Sequence, residues 1–321
     1  MSPLARARGQ AGGVAIALAV VYVVWGSTYL AIAFAIHTIP PLLMAGVRFL
    51  VAGGLLYVWS RLRGAPRPRP VQWGWAFLLG ALFFLMGNGA VVWVEQSIPS
   101  GLVALIVAMV SVWTALLEWL RPGGTRPTGM VLAGIALGFA GVALLVLPGQ
   151  GGAGHVAPGG VALLMCSTFA WALASVLART ADLPASAPQV SGMEMLAGGV
   201  WLFAASLLHG DHRQFDPSLV TLKSGLSVLY LIVFGSLVTF TAFAWLLQVT
   251  TPNKVATAGY VNPMVAVFLG WAFGGEALTA RALLASLVIV CSVVMIITGR
   301  DFAFSRLRPA LRGSASAAKP R

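Results

Sequence analysis

The chain contains an internal repeat, because five apolar runs in its first half are followed by five similar runs in its second half. The halves align without gaps over long stretches, with Trp25 matching Trp171 and, at a slightly larger offset, Trp93 matching Trp245. Each half therefore predicts one unit of five helices. Because five is odd, the second unit must enter a membrane from the opposite face, which makes the repeat inverted. Inverted repeats are typical of secondary transporters, which bind their substrate near the midplane between the halves.

The composition favours a membrane protein. Apolar residues make up 59% of the chain and charged residues 9%, whereas about 25% of a soluble domain is charged. A helix needs roughly 20 apolar residues to cross a bilayer. The predicted spans are 12–36, 42–60, 73–96, 101–120, 128–147, 159–179, 189–208, 222–248, 254–273 and 281–299. We therefore expect an all-α integral membrane protein in which ten transmembrane helices form two inverted five-helix repeats.

These spans leave room for short connecting segments only. The predicted parts are a cytoplasmic N-terminus (1–11), a first repeat (12–147), an outer loop (148–158), a second repeat (159–299) and a basic cytoplasmic tail (300–321). The tail mixes Pro, Ser and Ala with Arg, a composition that favours a disordered segment facing the lipid headgroups.

The distribution of basic residues predicts the orientation. The net charge of +12 is compatible with nucleic-acid binding, but the positions of the charges favour another explanation. With a cytoplasmic N-terminus, sixteen of the twenty Lys and Arg residues fall inside, while Arg213, Lys223 and Arg281 fall outside and Arg48 lies within a span. This is the positive-inside pattern. It predicts cytoplasmic termini, the lipid bilayer as a partner and no nucleic-acid partner.

Several chemistries are not supported by the motifs. Gly149–Gly154 fits the pattern GxGxxG but follows a membrane helix rather than a strand, so a flexible connector is the better interpretation. No lysine follows a glycine, which excludes a P-loop. Cys166 and Cys291 are interpreted as small packing residues. We predict no catalytic group, cofactor or metal, although an intramembrane enzyme or a passive structural protein remains an alternative.

Three charged residues at membrane depth are candidate functional groups, because a charge there is costly. Arg48 lies in the outer part of span 2, and Glu95 lies close to the outer end of span 3. These two are predicted to form an ion pair that closes or supports the outer side of a cavity. Glu194 lies near the inner face, where Arg179 or Lys254 could pair with it. The alternative is that such pairs only fasten helices together.

Helix-breaking residues give a second indication of a cavity. Pro263 follows Asn262 in span 9 and predicts a bend, because proline frees a backbone carbonyl that must find another partner. Gly87-Asn88-Gly89 in span 3 allows another group to approach the backbone closely. Packing kinks are the alternative explanation of both features. Gly134 and Gly138 form a GxxxG face, which predicts helix packing or a homodimer contact.

Aromatic residues with polar neighbours complete the candidate site. The predicted substrate-binding residues are Trp25, Ser27, Thr28, Asn88, Trp171, Glu194, Tyr260 and Asn262. A pocket lined by rings, amides and hydroxyl groups suits a small amphipathic metabolite.

These residues also resemble a known family. The runs Trp25-Gly26-Ser27-Thr28, Arg48-Phe49, Trp171-Ala172, Asn262-Pro263 and Gly275-Glu276-x-Leu278-Thr279 are similar in order and spacing to the EamA family of the drug/metabolite transporter superfamily. The resemblance covers about residues 12–300. It implies a bacterial inner-membrane carrier with a central cavity formed by spans 1, 3, 4, 6, 8 and 9. It also implies export of amino acids or related metabolites, with a multidrug-type exporter as the alternative. Ser111 stands where the first repeat commonly has a proline, which puts symmetric bending of spans 4 and 9 in doubt.

The orientation leads to a labelling prediction. In a background without Cys166 and Cys291, a cysteine at Gly152 should react with an impermeant maleimide in intact cells, because the connecting loop is predicted to be outside. A cysteine at Ser314 should react only after the cells are permeabilised. The reverse labelling would overturn the orientation.

Overall fold

The chain is helical throughout the part that the structure describes. The computed structural model describes residues 3–121, 126–146, 157–250 and 252–317, and it describes side chains from 12 to 299 within those ranges except at 244, 247, 252 and 253. No strand occurs in these ranges. The loop residues 147–156, which include the Gly149–Gly154 motif, lie outside the described residues. The all-helical fold class is confirmed.

Ten segments are long and apolar enough to cross a membrane. They are Gly12–Ala35, Pro41–Leu62, Pro70–Val94, Ser100–Leu120, Gly129–Val146, Pro158–Leu177, Ala187–His209, Leu222–Phe243, Lys254–Gly274 and Ala280–Gly299, and we number them spans 1 to 10. Their ends lie within a few residues of the predicted ones. Span 1 belongs to a helix Pro3–Ala35 and span 10 to a helix Ala280–Ala317. The extension to Ala317 differs from the disordered tail that we expected, and the Ala, Leu and Arg residues in it are good helix formers.

Four spans are composite helices. Span 3 consists of helix Pro70–Gly80, a π-helical segment Ala81–Gly89 and helix Ala90–Val94, and span 8 of helix Leu222–Tyr230, a π-helical segment Leu231–Val238 and helix Thr239–Val249. Span 4 consists of Ser100–Val107 and Val110–Leu120, and span 9 of Pro252–Ala256 and Ala258–Gly274. Two short helices, Asp211–Gln214 and Pro217–Leu219, connect spans 7 and 8.

Spans 2 and 7 cross in backbone contact at four glycines. The contacts are Gly46 with Phe203, Gly192 with Tyr57, Gly53 with Leu196 and Gly199 with Leu50. A Cβ atom at any of the four would lie 3.0 Å or less from a backbone nitrogen of the other span. Only glycine allows this approach, and we call the contact the glycine seam.

The glycine seam shows how the two repeats are related. The offset that matches Trp25 to Trp171 also turns the contact of Gly46 with Phe203 into that of Gly192 with Tyr57, so each contact occurs twice with the repeats exchanged. Two turns after Gly46 along span 2, Gly53 meets Leu196, which lies two turns before Phe203 along span 7. The two equivalent helices therefore run antiparallel. This is the geometry of an inverted repeat.

The GxxxG face of span 5 packs within the same chain. A Cβ atom at Gly134 would lie 2.9 Å from the Ile296 side chain, and one at Gly138 would lie 2.7 Å from Ser292 Oγ, both in span 10. Ser292 Oγ also donates to the Gly134 carbonyl at 2.6 Å. Helix packing therefore accounts for this face, and it is not free for the dimer contact that the sequence left open. Cys166 and Cys291 are exposed on the outside of the helices rather than packed in the core, which corrects our expectation.

Spans 4 and 9 are both interrupted although only span 9 contains a proline. In span 4, Met109 and Ser111 bond to carbonyls three residues back rather than four, which tightens the chain into one short turn. In span 9 the interruption lies at Thr257, while Pro263 is inside the following helix. The two interruptions are not at equivalent places in the repeats, because the offset that matches Trp93 to Trp245 takes Met109 to Val261 rather than to Thr257. Symmetric bending of spans 4 and 9 therefore stays in doubt.

The glycine seam predicts a contrast between neighbouring glycines. Gly53→Ala should destabilise the protein, because the new Cβ atom would lie 2.6 Å from Leu196 N, and overpacking of this kind costs about 1–3 kcal/mol. Gly54→Ala is the matched control, since its Cβ atom would meet only a Leu196 methyl group at 3.9 Å. Thermal unfolding of the purified variants in detergent measures both. Equal stability of the two variants would contradict the backbone contact.

Candidate substrate cavity

A cavity of about 390 Å³ lies between the two repeats. Residues of spans 1, 2, 3, 4, 6, 8, 9 and 10 line it. The six spans implied by the family resemblance are among them, and spans 2 and 10 are additional. Its volume falls in the range of about 300–1,000 Å³ that is usual for small-molecule sites.

A π-helical segment lies next to the site in each repeat, and Gly87 and Asn88 of the one in span 3 line the cavity. A π-helix has hydrogen bonds between residues five apart rather than four, and such segments often occur at functional sites. Asn88 Nδ2 donates to the Phe83 carbonyl at 3.1 Å in span 3, and Thr239 Oγ1 donates to the Phe234 carbonyl at 2.7 Å in span 8. Each bond reaches five residues back. A polar side chain therefore stabilises the irregular segment in each repeat.

Each π-helical segment also receives a tryptophan from the other repeat. Trp25 of span 1 donates its Nε1 hydrogen to the Gly235 carbonyl at 3.3 Å. The Trp171 ring of span 6 packs on Gly87, where a Cβ atom would lie 2.9 Å from ring atom Cε3. Both tryptophans line the cavity. The two repeat-equivalent rings that the sequence singled out thus form walls on opposite sides of the site.

Arg48 is the charged residue of the cavity wall. Its guanidinium lies 4.6 Å from the centre of the Phe49 ring, and its Nε donates to Ser236 Oγ at 3.1 Å. Gly235 makes room for it, because a Cβ atom there would lie 3.2 Å from an Arg48 terminal nitrogen. Arg48 is buried, with 4% of its surface exposed. Among the described residues that line the cavity it carries the sole formal charge.

Asn262 contributes an acceptor without a partner. Its Oδ1 atom is buried and has no hydrogen-bond partner among the described residues, although it belongs to the cavity wall. A buried amide oxygen left without a donor is costly, so such an atom in a cavity points to a donor on a ligand. Thr28 and Asn88, two of the predicted substrate-binding residues, line the same cavity, and so does Pro263, the predicted bend.

Three predicted substrate-binding residues lie elsewhere. Ser27 Oγ donates to the Val24 carbonyl at 2.8 Å and shares a hydrogen bond of 2.6 Å with the Tyr230 hydroxyl. Glu194 and Tyr260 do not line the cavity. The sequence placed these residues at suitable depths in the membrane, but the side of the helix on which each one lies depends on how its span is rotated.

The inner charges pair differently from our expectation. Arg179 forms an ion pair of 2.7 Å with Glu118 rather than with Glu194. Arg69 pairs with Asp182 at 2.6 Å across the loops that follow spans 2 and 6. Glu194 makes no ion pair in the described part of the chain. Spans 4 and 6 end close together, which brings Glu118 to Arg179.

The expected ion pair of Arg48 with Glu95 is not formed in this structure. Arg48 is bonded to Ser236 instead, and neither carboxylate oxygen of Glu95 has a hydrogen-bond partner among the described residues. The π-helical segment of span 8 brings the hydroxyl group of Ser236 to the guanidinium. Nothing in the spacing of the sequence predicts that segment.

The cavity is covered at one end. We call the face at which span 1 begins the N-terminal face and the opposite face, which holds the loops after spans 1, 3, 7 and 9, the far face. The lining residues closest to the far face, Ile32, Val91 and Ala104, are buried, whereas the lining reaches the exposed Ala256 at the start of span 9 on the N-terminal face. The structure is therefore closed toward the far face.

Glu276 fastens that closed end. One carboxylate oxygen accepts from Ser100 N and from Ser100 Oγ, each at 2.6 Å, and the other accepts from Gly101 N at 3.0 Å. The carboxylate thus caps the first turn of span 4, where unpaired N–H groups favour a negative charge. We call this contact the Glu276 latch. It joins the loop after span 9 to the other repeat, one turn from Ala104.

Sequence reasoning missed several residues of the cavity wall. They are mainly hydroxyl-bearing and phenylalanine side chains: Ser111, Thr114, Ser167, Thr168, Phe240 and Phe243. Ser167 Oγ, for example, donates to the Gly87 carbonyl at 2.9 Å. The repeat could have indicated span 8, because its π-helical segment matches the Gly87 region of span 3. In the described part of the chain, no three His, Cys, Asp or Glu residues come together as a metal site.

Comparison with known proteins gives the same fold and a family. The model of the EamA-like transporter family matches residues 12–147 and 158–298, that is, both repeats. The inner membrane transporter YedA of Escherichia coli is 40% identical over 88% of this chain and 90% of its own length. Protein PecM of Dickeya dadantii is 29% identical over 85% of this chain and 88% of that protein.

Two further comparisons are more distant. A protein named a probable amino-acid metabolite efflux pump in Escherichia coli is 27% identical over 87% of this chain and 93% of that protein. One solved crystal structure superimposes with a TM-score of 0.60 at 20% identity, covering 91% of this chain and 99% of that one, and it supports the fold alone. The family matches and the ten spans together show a multi-pass transporter of the bacterial inner membrane, not an enzyme. The chain belongs to the EamA-like transporter family.

Proposed function

We propose that this transporter exports amino acids or closely related zwitterionic metabolites by alternating access, with the substrate bound between the repeats. The observation that carries the proposal is the pairing, in one cavity, of a buried guanidinium with an amide oxygen that lacks a donor. Arg48 supplies the first group and Asn262 the second. An amino acid carries a carboxylate, which the guanidinium can bind, and an ammonium group, which can donate to the amide oxygen.

Arg48 is suited to bind the substrate carboxylate. A lone charge at membrane depth is costly, and an anionic ligand would offset that cost. One edge of the guanidinium is engaged by Ser236, which leaves terminal nitrogens as donors toward a carboxylate. Hydrogen bonds between charged partners in a water-poor site are the stronger ones.

Asn262 and the tryptophan rings are suited to the other end of the molecule. Asn262 Oδ1 would accept from the ammonium group, whose charge aromatic ring faces also attract. The Trp25 ring stands 5.4 Å from the Phe240 ring and 5.1 Å from the Phe243 ring, so span 8 extends this wall. An apolar side chain would pack against these rings.

The electrostatics argue against a multidrug-type exporter for lipophilic cations. Such compounds need a negative group, and the described cavity wall contributes Arg48 but neither Asp nor Glu. The 27%-identical relative, a probable amino-acid metabolite efflux pump, agrees with the amino-acid alternative. The export direction rests on that relative and on the family resemblance.

The inverted repeat supplies the second conformation of the cycle. Since the two repeats are related by the antiparallel crossing of spans 2 and 7, exchanging their conformations would open the far face and close the N-terminal face. The substrate would enter from the N-terminal face, which the basic residues predict to be cytoplasmic, and leave at the far face.

A charge-removal experiment tests the site. Purified protein in liposomes without ATP should exchange internal for external amino acid, and Arg48→Gln should weaken recognition about ten- to hundredfold, since a hydrogen bond to a charged group contributes about 1.5–3 kcal/mol. Arg69→Gln is the matched control, because it removes an exposed ion pair with Asp182. Amino-acid methyl esters, which lack the carboxylate, should not compete in the wild type.

Two results would contradict the proposal. One is full exchange activity in folded Arg48→Gln, which would show that the guanidinium does not bind substrate. The other is transport that appears only with added ATP, which would remove the carrier mechanism itself. Asn262→Leu separates the two ends of the substrate, because it should impair amino acids more than the corresponding hydroxy acids.

A further inference from the structure

Glu95 is a buried carboxyl group that no hydrogen bond accounts for. It is the first residue after span 3 and is 8% exposed. Both of its oxygens are buried and without a hydrogen-bond partner among the described residues. Its backbone N–H bonds to the Val91 carbonyl at 3.0 Å, so Glu95 lies one helical turn beyond Val91 on the same side of the helix. Val91 lines the cavity, and Glu95 therefore lies between the cavity and the far face.

The groups around Glu95 define its electrostatic environment. Glu276 and Arg48 are the charged residues that act on it. The Tyr29 hydroxyl of span 1 is also within electrostatic range of the Glu95 carboxyl group. Span 6, which packs on the end of span 3 through Gly160 and Val94, has no charged side chain.

A second titratable group lies near by on span 7. His209 packs edge to face on Trp93, with ring centres 4.9 Å apart, and forms an ion pair of 2.6 Å with Asp211. Asp211 is itself held by Leu43 N and Ser206 Oγ. The test must therefore separate His209 and Asp211 from Glu95.

The neutral acid is the form that fits this site. An ionised carboxylate that is buried without hydrogen-bond donors is strongly disfavoured, and a neighbouring carboxylate disfavours it further. Arg48 would favour the ionised form, but in this structure its Nε is bonded to Ser236. The neighbouring Glu276 accepts three hydrogen bonds and is satisfied as a carboxylate.

We propose that Glu95 is a proton-binding site that holds the far side of the cavity closed while it is protonated. On deprotonation the O–H bond breaks and the proton passes to water in the cavity, on the side toward the N-terminal face. The resulting carboxylate repels Glu276, which weakens the Glu276 latch, and attracts Arg48 away from Ser236. The far side then opens. In the proposed export cycle, on which this role rests, an acidic exterior would reprotonate Glu95 after substrate release and reset the cavity to the inside.

The test measures the opening of the far face without a substrate. Its failure can therefore be distinguished from failure of the amino-acid proposal. Spin labels on cysteines introduced at Gln96 and Leu278, both exposed at the far face, report the distance across the Glu276 latch. In purified protein lacking Cys166 and Cys291, this distance should lengthen as the pH rises. Glu95→Gln, which mimics the neutral acid, should keep the short distance at every pH.

Two control variants identify the titrating group. Glu95→Asp keeps a carboxyl group and should keep the pH response, while His209→Gln removes the histidine and should also keep it. Infrared spectroscopy provides an independent readout, since the carbonyl absorption of a protonated carboxyl group should be missing in Glu95→Gln. A Glu95→Gln protein that opens with pH like the wild type, a wild-type distance that does not change, or loss of the response in His209→Gln would each overturn the proposal.

Discussion

Backbone contact between spans 2 and 7 is the constraint on which the rest of the structure depends. At the glycine seam the two helices approach so closely that no side chain fits between them, and each contact is repeated with the repeats exchanged. The seam is rigid in the sense that packed backbones have few alternatives. It holds Arg48 and Glu194 at matching places in antiparallel helices, one toward each face. In the proposed alternating-access cycle, the two repeats would move relative to each other about this crossing while their internal packing is kept.

The two repeats contact each other through different interactions at the two faces, although the repeats are equivalent. At the far face a partly buried carboxylate, that of Glu276, caps span 4 of the other repeat with three hydrogen bonds. At the N-terminal face the repeats meet through the ion pairs Arg69–Asp182 and Arg179–Glu118, in which both arginines are more than half exposed. Exposed ion pairs contribute only about 0–1 kcal/mol. Aligning Trp119 with Trp271 places Gly124, which has no carboxylate, opposite Glu276. This asymmetry explains why the described conformation is closed at the far face.

The sequence predicted the fold more completely than the site. Apolar run lengths located all ten spans, and the repeat offset identified Trp25 and Trp171, because both signals depend only on the order of residues. Which side of a helix faces the cavity depends on its rotation, and the π-helical segments change that rotation within spans 3 and 8. Glu194 of span 7 was assigned to the cavity from its depth in the membrane alone, although it lies outside the cavity. Ser236 was missed, and with it the bond that holds Arg48 away from an ion pair with Glu95.

Rocking of the repeats about the glycine seam can be measured most directly by pairs of distances in one sample. Spin labels at Gln96 and Leu278 report the far face, labels at Trp119 and Lys254 the N-terminal face, and labels at Val51 and Trp201 the region of the seam. When a transported amino acid is added, the far-face and N-terminal-face distances should change in opposite directions while the seam distance stays constant. Changes in the same direction at both faces, or a seam distance that changes as much as the others, would contradict alternating access by rigid inverted repeats.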